Sequence, residues 1–141
     1  LPTDIRVATP MARFGLPEVK WSIYPFGGAT IKLVQQIGHI HAMDLLMTGR
    51  LITAIEAKKL GLINDIVRDR SVIDWALEKA HLIATNSPSA VQAVKTQISS
   101  TIAEHTLSRE NLDQVLGDQV RAHPNFKEGV TAFLEKRTPK Y

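Results

Sequence analysis

The chain has 141 residues, 44% hydrophobic and 22% charged, which suits one globular domain with a core and excludes a disordered chain. Its 17 Lys+Arg against 14 Asp+Glu leave a net charge of +3, too mild and too evenly spread to signal nucleic-acid binding. It has no cysteine, so disulfides, thiolate nucleophiles and cysteine zinc sites are excluded. No apolar run approaches the roughly 20 residues that span a bilayer, and Asp4 and Arg6 interrupt any secretory h-region. The expectation is a soluble, cytoplasmic protein with no membrane partner. The chain opens Leu1-Pro2 without an initiator Met, so something upstream is expected to have been removed or omitted.

In chain order, Asp4 to Ala8 alternates polar and apolar and meets Thr9-Pro10, which predicts a short strand and a turn. Phe14-Gly15 is a second brief extended piece. A strand needs a pairing partner, and Ile63 to Val67 is the only good candidate downstream. Nearly everything else reads as helix. One runs from Gly27 to Ile37 and stops at Gly38. Another spans His39 to Met47, with Ile40, Met43, Leu46 and Met47 on its apolar side. Thr53-Ala54-Ile55-Glu56 has the capping-box pattern, with Glu56 expected to reach back to the Thr53 amide, and Gly61 suits the stop. Ile73, Ala76, Leu77, Ala80, Ile83 and Ala84 fit a 3.6 period.

Ser87-Pro88 predicts an N-cap and first-turn proline for a helix whose apolar face runs through Val91, Val94, Ile98 and Ile102. A further amphipathic stretch starts near Thr106, with Leu107, Leu112, Val115, Leu116 and Val120. Pro124-Asn125 opens the last helix, with Phe126, Val130, Phe133 and Leu134 on one side and Pro139 as its end. This is far more helix than the usual third. An all-helical domain would not need the leading strand; a sheet protein cut in two would leave this remainder.

Glu18 is the first candidate for chemistry. It stands among Phe14, Leu16, Val19 and Trp21, behind Pro17. Burial there would disfavour its charge and raise its pKa toward working pH. Taken alone, it is more readily an ordinary first-turn glutamate stabilised by the helix dipole. Gly27-Gly28 at a helix start could bring backbone amides close to a ligand, or could form only a tight turn, which the spacing favours. No nucleotide fingerprint is present. The five histidines include no pair at i+4 and no metal site is assigned. At the C-terminus, Phe133, Lys136 and Arg137 close a helix, where cations suit the dipole.

In order and spacing these pieces resemble the enoyl-CoA hydratase/isomerase (crotonase) superfamily over essentially the whole chain. Asp4-Ile5-Arg6-Val7-Ala8 looks like the strand after the family's second oxyanion loop. Phe14-Gly15-Leu16-Pro17-Glu18-Val19 looks like its F-G-x-P-E-hydrophobic motif. Ile23 to Leu33 matches the P-x-x-G-G-T pattern imperfectly. Leu45-Leu46-Met47-Thr48-Gly49 resembles L-L-L-T-G, and Ala54 to Leu62 resembles A-x-E-A-x-x-x-G-L. Glu128-Gly129-Val130 and Ala132 to Arg137 match the closing E-G-x-x-A-F-x-E-K-R.

The resemblance implies an α/β fold, a crotonase-like ββα superhelix in the full protein. This chain would be its mostly α-helical C-terminal half with one or two short strands. Residues 1–70 would complete the core and carry the Glu18 motif; residues 71–141 would form a helical region for trimerisation and CoA capping. The implied activity is hydration of a 2-enoyl-CoA, with isomerase, dehydratase or thioester-hydrolase chemistry, or a non-catalytic assembly fragment, as alternatives. Glu18 matches the second of the family's two catalytic glutamates. Trp21, Pro25, Phe26 and Gly27 would bound the substrate, and Phe133 and Lys136 match positions that contact the adenine end of CoA. CoA thioester is the substrate, and no separate cofactor is implied. The partners implied are the acyl-CoA and further copies, as a homotrimer or a dimer of trimers (a hexamer). Fatty acid metabolism is the implied setting.

Two departures accompany the match. In the family the oxyanion amides and the first glutamate lie upstream of the position of Leu1, so this chain alone is expected to be inactive. The usual glycine after Pro25 is Phe26 here, which would crowd the region where the family places its water.

Overall fold

A computed structural model describes residues 3–141. The leading strand is real but short: β1 is Val7–Ala8. Its partner is the other strand candidate, since Asp65–Ile66, here β4, pairs with it in parallel, Val7 opposite Asp65 and Ala8 opposite Ile66. Arg6 seals the ladder's end. Its backbone N–H donates to Asn64 Oδ1 at 2.7 Å and its Nε to the Leu62 carbonyl at 2.7 Å. Arg13–Phe14 (β2) pairs antiparallel with Ile52–Thr53 (β3). β3 escapes a reading by alternation because two residues carry no period.

Three helices follow the first part of the chain. α1 is Ala29–Ile37, α2 is His39–Thr48 and α3 is Ala54–Lys59. Thr53 caps α3 as expected, its hydroxyl accepting from the Glu56 N–H at 3.2 Å. The Glu56 carboxylate does not reach back to the Thr53 amide. It pairs with Arg50 at 2.7 Å, and Arg50 also holds Asp44 at 2.6 Å. A guanidinium offers a charge-assisted bond, stronger than a neutral amide can. The core is a cluster drawn from residues between Ala8 and Ile63, with Leu33, Leu45 and Ile52 at its centre.

The rest is helical: α4 Val72–Ala84, α5 Pro88–Leu107, α6 Glu110–Ala122 and α7 Pro124–Leu134. Ser71 caps α4 and the His123 ring caps α7. Ser87 does not act as the expected side-chain cap; its hydroxyl bonds the Ser89 hydroxyl instead. Thr106 and Leu107 finish α5 rather than starting the next helix, which begins after the turn at Ser108-Arg109. α7 stops well before Pro139, at a Schellman turn in which Arg137 N–H bonds Ala132 O and Lys136 N–H bonds Phe133 O.

The packed faces differ from those the periodicity predicts. α2 buries Ala42, Leu45 and Leu46 and leaves Ile40 and Met47 exposed. In α4 the expected face, with Ile73 and Leu77, is exposed, and Trp75 is the buried residue, its indole N–H donating to Asp65. α5 buries nothing, and its Val94 and Ile98 face solvent. α6 and α7 pack through small residues, Gly117 in one and Gly129 and Ala132 in the other, while Leu112, Val115, Phe133 and Leu134 stay exposed. Periodicity locates apolar stripes; it does not say which stripe meets a partner within this chain. Among the described residues no helix is long and apolar enough to cross a membrane.

Candidate active site

Pro17 presets a helical φ and starts a 3-10 turn, Pro17–Trp21, with Glu18 in its first turn. The turn closes on Ser22, which takes a left-handed conformation at φ 51° while the Ile23 N–H returns to the Glu18 carbonyl at 3.0 Å. Glu18 is half-buried, and its Oε2 is fully covered without a hydrogen-bond partner among the described residues. A covered carboxylate oxygen left unbonded is costly in a folded protein. The lone pairs of this oxygen are not committed to any group among the described residues.

Three glycines hold this turn. A Cβ on Gly15 would lie 2.6 Å from Leu51 Cδ2 and 2.9 Å from the Arg50 carbonyl oxygen. One on Gly49, at the end of α2, would lie 3.0 Å from Lys20 Cγ and 3.2 Å from Val19 Cγ2. One on Gly129, inside α7, would overlap the Trp21 carbonyl. The Glu18 turn is therefore clasped between the α2 end, the Arg50-Leu51 backbone and α7.

The sequence-predicted residues divide into two groups around the turn. Trp21 meets Phe133 edge-on, ring centroids 5.2 Å apart, so a substrate-side and a CoA-side candidate come together. Lys136 is exposed just beyond α7 and, without being glycine, sits at φ 53° in the left-handed position of the Schellman turn. The tail beyond it is tied back. Arg137 grips Glu128 with two nitrogens, at 2.6 and 3.0 Å, and the Tyr141 hydroxyl donates to the Lys20 carbonyl at 2.8 Å. The Glu128 carboxyl falls to about 2, chiefly through its bond to Arg137 and then through the Lys140 N–H.

The second group faces α6. Pro25 is buried, and the Phe26 ring lies against Gly117, where a Cβ would overlap it. Arg121 stacks over that ring at 4.7 Å and Tyr24 meets it edge-on at 5.2 Å. Gly27 and Gly28 both take positive φ, and the Gly28 amide bonds Asp113 Oδ2 at 3.3 Å. Gly28 thus serves a tight turn docked on α6, and its amide already has a partner within the chain. The Tyr24 hydroxyl donates to Asp113 Oδ1 at 2.8 Å; burial first, and Asp113 second, push its pKa up. Gly27 is exposed, with open space where a side chain would stand.

Gly117, Gly129, Asp113 and Tyr141 were not among the candidates from sequence. A glycine inside a helical pattern is a signal of close approach, but it does not name what approaches. Among the described residues no group of His, Asp and Glu is placed to hold a metal ion.

A family model described as enoyl-CoA hydratase/isomerase matches residues 1–141. The chain is 46% identical over 139 residues to an enoyl-CoA hydratase of Mycobacterium tuberculosis, covering 99% of this chain and 52% of that one. It is 33% identical to a 2,3-dehydroadipyl-CoA hydratase of Escherichia coli, covering 98% of this chain and 54% of that one. The crystal structure of a carnitinyl-CoA hydratase from Mycobacterium avium superimposes with a TM-score of 0.89 at 33% identity, over 99% of this chain and 54% of that one. The chain spans about half the length of the curated relatives it matches.

Proposed function

The chain belongs to the enoyl-CoA hydratase/isomerase family, and from that premise we propose that it is the C-terminal half of an enzyme that hydrates a 2-enoyl-CoA, with Glu18 as general acid/base. The observation that carries this is the covered, unbonded Oε2 of Glu18 on a turn fixed by three close glycine contacts. In the reaction, water oxygen bonds the β-carbon, a proton bonds the α-carbon, and the carbon–carbon double bond is consumed. Electron density passes through an enolate on the thioester oxygen, where oxyanion amides stabilise it. A carboxylate in a pocket shielded from water can take the proton from the attacking water or deliver one to the α-carbon. Two positioned carboxylates would do both, and Glu18 is one of them.

In this reading residues 1–70 complete the catalytic core, and residues 71–141 form a helical region for CoA capping and trimerisation. Trp21, Pro25, Phe26 and Gly27 bound the substrate. Phe133 and Lys136 reach the adenine end of CoA, with the exposed ammonium of Lys136 suited to a phosphate. The thioester is substrate, and no metal or separate cofactor takes part. The setting is the cytoplasm and fatty acid metabolism. The test is Glu18→Gln in the full-length protein. Turnover of a short 2-enoyl-CoA should fall by about 100-fold or more with folding preserved; hydration near the wild-type rate would overturn the assignment. Product analysis on an acyl-CoA panel separates hydration from isomerisation, dehydration and thioester hydrolysis.

A second reading, a non-catalytic assembly piece, is favoured by one observation: α4 and α5 expose Ile73, Leu77, Val94 and Ile98. Apolar faces of that kind seek partners. Acyl-CoA turnover by the full-length protein, lost in Glu18→Gln, would remove it.

A further inference from the structure

The carbonyls of the Glu18 turn find their partners in two different ways. Those of Glu18 and Val19 accept from the Ile23 and Ser22 N–H groups, so the turn closes these two locally. The Lys20 carbonyl accepts instead from the Tyr141 hydroxyl, 121 positions away in sequence, at 2.8 Å. Among the described residues this is the one hydrogen bond that reaches the turn's backbone from a distant part of the chain. Two neighbours in α7 bring Tyr141 there. Glu128 holds the Arg137 guanidinium and, through Oε1, the Lys140 N–H at 2.8 Å, which fixes the residue before Tyr141. Gly129 leaves a notch in which a Cβ would overlap the Trp21 carbonyl and lie 2.9 Å from the Tyr141 hydroxyl. The hydroxyl therefore meets Lys20 in the same gap where α7 meets the turn.

Resting on the reading of Glu18 as general acid/base, we infer that Tyr141 is a positioning residue, whose hydroxyl, strapped to α7 through Glu128, fixes the turn that carries Glu18. A five-residue 3-10 turn has few internal bonds, and their geometry is poorer than in an α-helix. A bond from a rigid helix's neighbour to one of its carbonyls narrows the positions the turn can take. Small misplacements of a reacting group cost rate steeply. The effect falls on turnover and not on binding, because Tyr141 acts on the Lys20 main chain and through it on Glu18. The Tyr141 side chain is 60% exposed, so losing the hydroxyl alone removes the bond and little packing.

The experiment is Tyr141→Phe in the full-length protein, with a short 2-enoyl-CoA as substrate. Its kcat should fall by about five-fold, the size a single neutral hydrogen bond supports, with KM nearly unchanged. Hydrogen exchange of the Ile23 amide, which bonds the Glu18 carbonyl, should quicken by about the same factor. Glu128→Gln should lower kcat as well, and the double variant should be no slower than Glu128→Gln alone, because both changes release one strap. Wild-type kcat in Tyr141→Phe overturns the positioning role and leaves the Glu18 reading intact. A lower kcat with unchanged Ile23 exchange overturns it too, as do losses that multiply in the double variant. Wild-type turnover in Glu18→Gln overturns the general acid/base reading on which the strap rests.

Discussion

The carbonyl of Trp21 rests directly on Gly129, so that the last helix touches the backbone of the Glu18 turn with no side chain between them. This contact decides the sign of a substitution that local propensity would misjudge. In an open helix interior, Gly→Ala gains roughly 0.5–1 kcal/mol. At residue 129 the added methyl meets main chain rather than a flexible side-chain end, so strain of about 1–3 kcal/mol should win. Gly129→Ala is therefore expected to lower stability in urea and to change Trp21 fluorescence. An equal or higher midpoint would show that α7 does not dock on the turn this closely.

How much of this was legible in the sequence depends on the distance between the residues concerned. The two strand candidates, near Val7 and Ile63, are local patterns, and they pair with each other. The helix limits at Gly38, Gly49 and Pro124 were equally readable, because capping and backbone preferences act within a turn. The Phe26–Gly117 and Trp21–Gly129 contacts were not. Each joins residues far apart in the chain, and the signal on the helix side is a missing side chain. The packed face of α4 was unreadable for a related reason: its richest apolar stripe, through Ile73 and Leu77, faces away from this chain's core, and the single Trp75 packs inward.

Lys136 allows stability and binding to be separated. Its left-handed φ of 53° in a Schellman turn is ordinary for glycine and costs a side-chain-bearing residue about 1 kcal/mol. Lys136→Gly should therefore raise stability by about 1 kcal/mol while weakening acyl-CoA binding in the full-length protein. Thermal unfolding and a CoA-thioester titration on the same sample would check both halves. A stabilised variant with unchanged affinity would remove Lys136 from the CoA site.

Acid should release the tail before it unfolds the core. The Glu128 carboxyl is lowered from 4.5 to about 2 in the folded chain, mainly by Arg137. A lowered carboxyl contributes stability that is present above its ordinary value and lost as pH falls through the folded one. The tie of Glu128 to Arg137 and to the Lys140 N–H should thus weaken between pH 4.5 and about 2. The Tyr141–Lys20 hydrogen bond should go with it. Asp65, lowered to about 2 by Lys58, titrates in the same range, so the control is Glu128→Gln. That variant should show the released tail, read from Tyr141 resonances, already at neutral pH. A tail still ordered in Glu128→Gln would place the tether elsewhere.

Gly15 offers the sharpest test of whether the position of the Glu18 turn matters for chemistry. Its missing side chain admits the Arg50-Leu51 backbone, and Arg50 is itself fixed between Asp44 and Glu56. Leu51 is exposed, and its side-chain end can retreat; the Arg50 carbonyl is main chain and cannot do so as readily. In Gly15→Ala the new methyl meets Leu51 Cδ2 at 2.6 Å and the Arg50 carbonyl oxygen at 2.9 Å, and it is the carbonyl contact that pushes on the turn that carries Glu18. A displacement of about 1 Å at a catalytic group can cost about 100-fold in rate. Gly15→Ala in the full-length protein should therefore lower kcat by between 10- and 100-fold, on the order of that effect, with a much smaller change in KM. Adding Leu51→Ala removes the closer of the two contacts and leaves the carbonyl, so it should recover part of the loss. If Gly15→Ala turns over substrate at the wild-type rate, the clasp around Glu18 is structural alone. If Leu51→Ala deepens the defect, the Leu51 side chain supports the turn rather than straining it.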